Sequence, residues 1–316
     1  MAEICLEAGY AVDVVDFDHP TFTPRKPYVL CIDIQHNLER FTQHLPASCI
    51  KLFHATTSHW LFNNLAEYER LHALKQRRGV VLTPRRTLPP SRNAECADAC
   101  TLIGNDTTAA TYAYTNKPIT QIPISTTHLY PSPEQKDFAK ARTGFVWFGG
   151  SGMAHKGLDL VLEAFSELPE YRLTVFGKAD PDFVAAYKRE LTDTPNIRFA
   201  GHVNPGSNLF MDTLQEAATL IFPSCSEGSS GGVVTAMHAG LIPLVSRECG
   251  VDVGSAGSFL PVCDVATIKR EVTRLAQSDP SEVRSRAVEA WRFAREHHTR
   301  EQFSRSMERV LRTYLV

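Results

Sequence analysis

The 316-residue chain has no apolar run approaching the length of a bilayer-spanning helix, about 20 residues. It also lacks a charged start followed by an apolar centre. Neither a membrane span nor a signal peptide is therefore expected, and peripheral contact is the one route left to a bilayer. There is no surplus of either charge: 33 basic and 35 acidic residues leave a net −2. That balance excludes the global positive field that holds nucleic acid, so any anion site must be local. No two of the eight cysteines form a C-x-x-C pair, and they are scattered through apolar stretches at positions 5, 31, 49, 96, 100, 225, 249 and 263. They read as reduced thiols of a cytoplasmic protein. Cys96 and Cys100 stand four apart, but no second ligand pair follows at zinc-site distance, so the spacing reads as a coincidence on one helix face. Neither a metal nor a cofactor is expected. Internal repeats and low-complexity segments are missing as well.

What is present suits two ordinary cores: 43% of the residues are hydrophobic and 22% charged. Met1 to Gly9 resembles the second half of a helix, and "YAVDVVDF" after it reads as a strand, so the first domain is expected to lack its N-terminal strand. "YVLCIDI", "CIKLFHAT", "ADACTLIG" and "ITQIPIS" read as further strands. Residues 61–79 have helical apolar spacing, basic residues in the last turn and Gly79 at the stop. The Pro- and Ser-containing stretch after residue 125 reads as a linker. Beyond it the alternation is strict, from "GFVWFGG" through "YRLTVFG", "NIRFAG", "ATLIFPS" and "IPLVS" to "SFLPV", with helices between and a helical tail from Asp264. The pattern predicts an α/β protein with two Rossmann-like doubly wound domains, 1–140 and 141–298. The last helix, 299–316, is free to fold back on the first.

Ligands of such sheets bind beyond the carboxyl ends of the strands, which singles out two loops. "WFGGSGMAHKG" carries Gly149, Gly150, Ser151 and Lys156, so backbone amides and one ammonium can converge on a phosphate at a helix start. It is not a P-loop, because His155 and Gly157 occupy the positions that need Gly and Ser or Thr. "PSCSEGSSGG" carries Glu227 and then Gly228, Ser229, Ser230, Gly231 and Gly232 before another helix. Small residues and free amides at a positive helix end suit a pyrophosphate. A carboxylate there would repel one, so Glu227 either accepts hydrogen bonds from sugar hydroxyls or caps the helix. Asp16-Phe17-Asp18 and Asp180-Pro181-Asp182 match the D-x-D triplet of metal-dependent sugar transfer, but neither stands in the architecture which that chemistry uses.

Glu227, Gly228, the glycine pair 231–232, Ala236, Met237, Gly240 and Pro243 together resemble the donor-site signature of retaining GT-B glycosyltransferases, the group 1 type usually numbered family four. "FVWFGGSGMAHKGLDLVLEAF" resembles that family's preceding strand and basic loop. The resemblance is specific from about residue 144 to 262 and looser before. It implies transfer of a sugar from a nucleotide-diphosphate donor to an acceptor hydroxyl of a glycan, lipid or small molecule, without a metal. Lys156 would pair with the diphosphate, amides 228–232 would cradle it, and Glu227 would contact the sugar. A first-domain histidine often reaches the donor sugar, and His59 is the preferred candidate, with His54, His36 and His155 behind it; Trp60 and Phe62 beside it are open to stacking on a sugar or to core packing. Two positions depart from the pattern. Ser151 stands where an arginine is common, and Thr235 replaces a second glutamate that holds ribose hydroxyls. These departures keep a non-catalytic sugar- or partner-binding protein in play. The arginines of "RRGVVLTPRRTLPPSR" read as a solvated basic face on the acceptor side.

Overall fold

The computed structural model describes residues 1–315. Among the described residues, ten strands form two wholly parallel sheets. The first comprises β1 (Leu30–Asp33), β2 (Ile50–Ala55), β3 (Ala99–Leu102) and β4 (Ile119–Gln121), side by side in chain order. The second comprises β5 (Gly144–Phe148), β6 (Arg172–Phe176), β7 (Ile197–Gly201), β8 (Thr219–Phe222), β9 (Ile242–Val245) and β10 (Ser258–Phe259). Its spatial order, β10-β9-β8-β5-β6-β7, reverses direction between β5 and β8, which are hydrogen-bonded neighbours. A crevice opens beyond the strand ends at such a reversal. β5 and β8 are buried on both faces because helices cover both sides, which is why "FVW" and "TLIF" are unbroken apolar runs rather than alternating ones.

The two halves exchange a helix each. The helix Trp60–Arg78 leaves β2, yet its Leu71 and Leu74 join the large core built on the second sheet. The final helix Arg300–Leu315 returns to the first sheet, where Met307, Val310 and Leu311 pack with Ile4, Leu52, Ala99 and Ile122.

Some expectations fail. "YAVDVVDF" forms no strand: residues 11–17 pair with no neighbour, and Val14 is 78% exposed. Its Asp13 is held instead by Lys26 and the Tyr28 hydroxyl, which keeps the segment in a loop over a cavity of about 770 Å³ beside β1. Cys96 ends the short helix Asn93–Cys96 while Cys100 lies in β3, so the two do not share a helix face. The helix expected between "YRLTVFG" and "NIRFAG" breaks into Pro181–Ala186 and a wider π turn, Arg189–Asp193.

Candidate functional site

The loops that follow β5 and β8 meet at the sheet reversal. The first is fixed from within. The Trp147 indole N–H donates to the Lys156 carbonyl at 3.2 Å, and the buried Asp180 carboxylate accepts the amides of Gly152 (2.9 Å) and Met153 (2.7 Å). Gly152 has φ +87°, a conformation that favours glycine and turns the loop back toward the sheet. Asp180 therefore takes two of the amides that a phosphate would use. Its neighbour Asp182 pairs with Arg85 and accepts the Thr83 amide, so this D-x-D triplet holds loops together. The described residues contain no cluster of metal-binding side chains.

The second loop is tied to the first through the Cys225 amide, which donates to the His155 carbonyl at 2.9 Å. Lys156 and Glu227 converge there as a buried ion pair, 7% and 9% exposed, and the Ser224 hydroxyl donates to the same carboxylate oxygen at 3.1 Å. Burial pushes the Glu227 carboxyl up, but Lys156, His155 and Arg86 outweigh it and hold the group below the usual carboxylate range. Glu227 does not cap the next helix. Ser230 occupies the N-cap of Gly231–His238 and makes no side-chain bond to it. Among the described residues, the amides of Gly228, Ser229, Gly231 and Gly232 have no acceptor, whereas Ser230 donates to the Cys249 carbonyl. A positive helix end with spare donors thus lies beside the ion pair.

His155 is buried, with Nε2 donating to the Ser226 carbonyl at 2.6 Å and Nδ1 3.8 Å from Glu67. Burial drives its pKa down to about 4 despite the nearby carboxylates, so the ring is neutral and the 3.8 Å approach is not an ion pair.

The first domain sits directly on this loop. The Ser58 hydroxyl bonds to the Glu227 carbonyl (2.8 Å) and meets the Ser226 hydroxyl (2.6 Å), while Thr108 donates to the Gly228 carbonyl (3.1 Å). A Cβ on Gly228 would collide with the carbonyl of Thr56, so only glycine allows this approach. The Thr235 hydroxyl lies 3.4 Å from that of Thr126 in the linker.

His59 caps the helix Trp60–Arg78, and its Nε2 meets the Tyr114 hydroxyl at 3.0 Å, so its ring makes no hydrogen bond with Lys156 or Glu227. It lines a groove of about 720 Å³ with Trp60, Phe62, Leu65, Arg92 and Tyr114. Phe62 is 37% exposed there and belongs to no core. His54 is buried under Phe303 with Nδ1 2.7 Å from Thr101, away from the loops, and His36 lines a small cavity beyond β1 with Ser58 and His59. Sequence reasoning missed Ser58 and Glu67. The one available signal was Glu67 itself, an acid within an apolar stripe of a helix.

Residues 142–278 match the family model described as "Glycosyl transferases group 1". Over that span, a little under half of its length, the chain is similar to the group 1 glycosyltransferases. Solved structures with the same fold include Anabaena Alr3699/HepE in complex with UDP and glucose (12% identity, TM-score 0.59, covering 84% of this chain and 72% of that one). Sucrose-phosphate synthase from Thermosynechococcus elongatus is similar (16%, 0.59, 83% and 73%). So is TarM, of S. aureus (13%, 0.62, 91% and 54%), a protein of which this chain spans little more than half the length. No curated protein matches the chain. The two parallel sheets and these neighbours give the GT-B fold, and residues 142–278, the span that the family model matches, are built on the second sheet.

Proposed function

We propose that the protein is a retaining, metal-independent glycosyltransferase that takes its sugar from a nucleotide-diphosphate donor. The observation that carries this reading is the convergence of Lys156 and Glu227, from the two loops at the sheet reversal, beside the open amides of a helix start. On donor entry, Lys156 exchanges its carboxylate partner for the diphosphate, and Glu227 turns its acceptor oxygens to sugar hydroxyls. The amides of 228–232 add fixed partial charges that need no reorganisation as negative charge builds on the leaving group. The bond from the anomeric carbon to the diphosphate oxygen breaks, and the acceptor oxygen bonds that carbon from the same face. The acceptor proton passes to the departing diphosphate. Thr235 replaces a charged ribose contact with one hydroxyl, which weakens the hold on the nucleotide.

Turnover of several nucleotide sugars, with the product anomer read by proton NMR and EDTA present in one arm, tests the reading. Lys156→Ala and Glu227→Ala are each expected to lose about a hundredfold or more in kcat. Turnover unchanged from wild type in both variants refutes the mechanism, an inverted anomer refutes retention, and EDTA-sensitive turnover refutes metal independence. One observation favours a second reading, a sugar-nucleotide-binding protein without turnover: Ser58 and Thr108 of the first domain hold the very loop a donor must enter. Donor binding without any transfer or hydrolysis supports it.

A further inference from the structure

Lys156 is neutralised by Glu227, His155 is uncharged, and Ser151 leaves the loop after β5 with no second cation. A nucleoside diphosphate brings at least two negative charges. An arginine of the other domain lies against that loop. Arg86 lies in the segment between the helix Trp60–Arg78 and the helix Asn93–Cys96. Its aliphatic stem rests on Gly152, where a Cβ would stand 2.5 Å from Arg86 Cγ and 3.0 Å from Cδ. Its backbone is clamped from two directions. The amide donates to both oxygens of the buried Glu67 (3.0 and 2.9 Å), and the carbonyl accepts from Asn63 Nδ2 at 2.7 Å. Four arginines around it are engaged, Arg70 and Arg77 with Asp159, Arg78 with Glu190, and Arg85 with Asp182, and Arg92 lines the separate groove beside His59. Among the described residues, the Arg86 guanidinium has neither a hydrogen bond nor an ion pair. It is close enough to help hold the Glu227 carboxyl down and to disfavour protonation of His155.

We infer that Arg86 is the second cation of the diphosphate site, presented across the domain boundary at the place where Ser151 supplies no charge. The inference rests on the nucleotide-diphosphate reading of these loops. A buried carboxylate that fixes a loop through its amides, while the side chain beyond stays unspent, is how a protein holds a guanidinium ready for an anion. Arg86 also makes the site bipartite, since Lys156 comes from one domain and Arg86 from the other.

The test is titration of UDP, ADP and GDP, each beside its nucleoside, into the full chain and into Arg86→Gln, Arg86→Lys and Lys156→Ala. Arg86→Gln keeps the stem against Gly152, and a thermal melt checks its folding. Arg86→Gln is expected to weaken the preferred diphosphate about tenfold to a hundredfold and to leave the nucleoside unchanged. Arg86→Lys is expected to fall between, and adding Ser151→Arg to Arg86→Gln to recover affinity. Unchanged diphosphate affinity in Arg86→Gln, alongside weakened binding in Lys156→Ala, overturns the role of Arg86 alone. Equal weakening of diphosphate and nucleoside also overturns it, because that is the mark of a merely structural residue. No binding of any of the three diphosphates by the wild-type chain removes the underlying reading, and this inference with it.

Discussion

Lys156→Met leaves a carboxylate in a site only 9% exposed with its cation gone. Removing one partner of a buried ion pair costs about 3–5 kcal/mol, because the remaining charge is neither solvated nor paired. The Ser224 hydroxyl still donates to Glu227, which places the expected loss toward the lower end, about 3 kcal/mol. Replacing both partners, as Lys156→Met with Glu227→Leu, removes the charges together and is expected to lie within about 1 kcal/mol of wild type. The two single losses would then greatly exceed the double, a coupling that a double-mutant cycle measures directly. Urea unfolding followed by fluorescence suits the measurement, since Trp147 donates to the Lys156 carbonyl and reports on this loop. Acid provides a second readout. In the wild type, Glu227 is held below its ordinary value, so its contribution is complete above pH 4.5 and is lost as pH falls through the lowered value. In Lys156→Met the same carboxyl is raised, its burden is relieved as the folded protein takes up a proton, and the deficit against wild type shrinks in acid. Additive single losses, or a deficit indifferent to pH, would refute the argument.

Two further outcomes are expected. Asp159 is fully buried between Arg70 (3.4 Å) and Arg77 (2.5 Å), so Asp159→Ala strands two guanidinium groups and is expected to cost about 3–5 kcal/mol, read as a lower urea midpoint together with faster proteolysis between residues 125 and 143; an unchanged midpoint contradicts this. His54, His155 and His298 are buried neutral, each with its pKa pushed by burial from 6.5 to about 4. The unfolded chain binds these protons first, so stability present above pH 6.5 falls as pH drops toward 4, by at most about 3 kcal/mol for each ring; His54→Gln is expected to flatten the urea midpoint's decline between pH 7 and 5, and an equally steep decline speaks against it.

Legibility in the sequence followed the range of the interactions. The apolar runs of β5, β8 and β9 are local consequences of burial on both faces, and the loops after β5 and β8 stood out through their small residues, whereas the sheet reversal that joins them depends on strand order and was not legible. "YAVDVVDF" reads as a strand, but a strand needs a partner, and here Asp13 is bound to Lys26 and Tyr28 while no ladder forms. Lys156 and Glu227 were each legible as chemistry. Their union was not, because it depends on two loops 71 positions apart meeting side chain to side chain. Asp180 was rightly set aside as a metal ligand, but its actual task was not legible for a related reason: a D-x-D triplet gives no sign that two backbone amides will claim its first carboxylate. Arg86 belonged to a run that looks like a solvated surface, and only Glu67, buried one helix earlier, turns it inward.

The exchange of helices has a consequence for how such a molecule can be recombined. A cut in the linker divides the covalent chain but not the physical units. The second sheet would lose Leu74 from its core and the counter-ions of Asp159, Glu163 and Glu190, and the first would lose Met307, Val310 and Leu311. A hybrid that grafts a new first half onto this second half would have to carry Trp60–Arg78 with the second half and leave Arg300–Leu315 behind. The modules that can be traded are therefore discontinuous in sequence, each clasping one segment of the other.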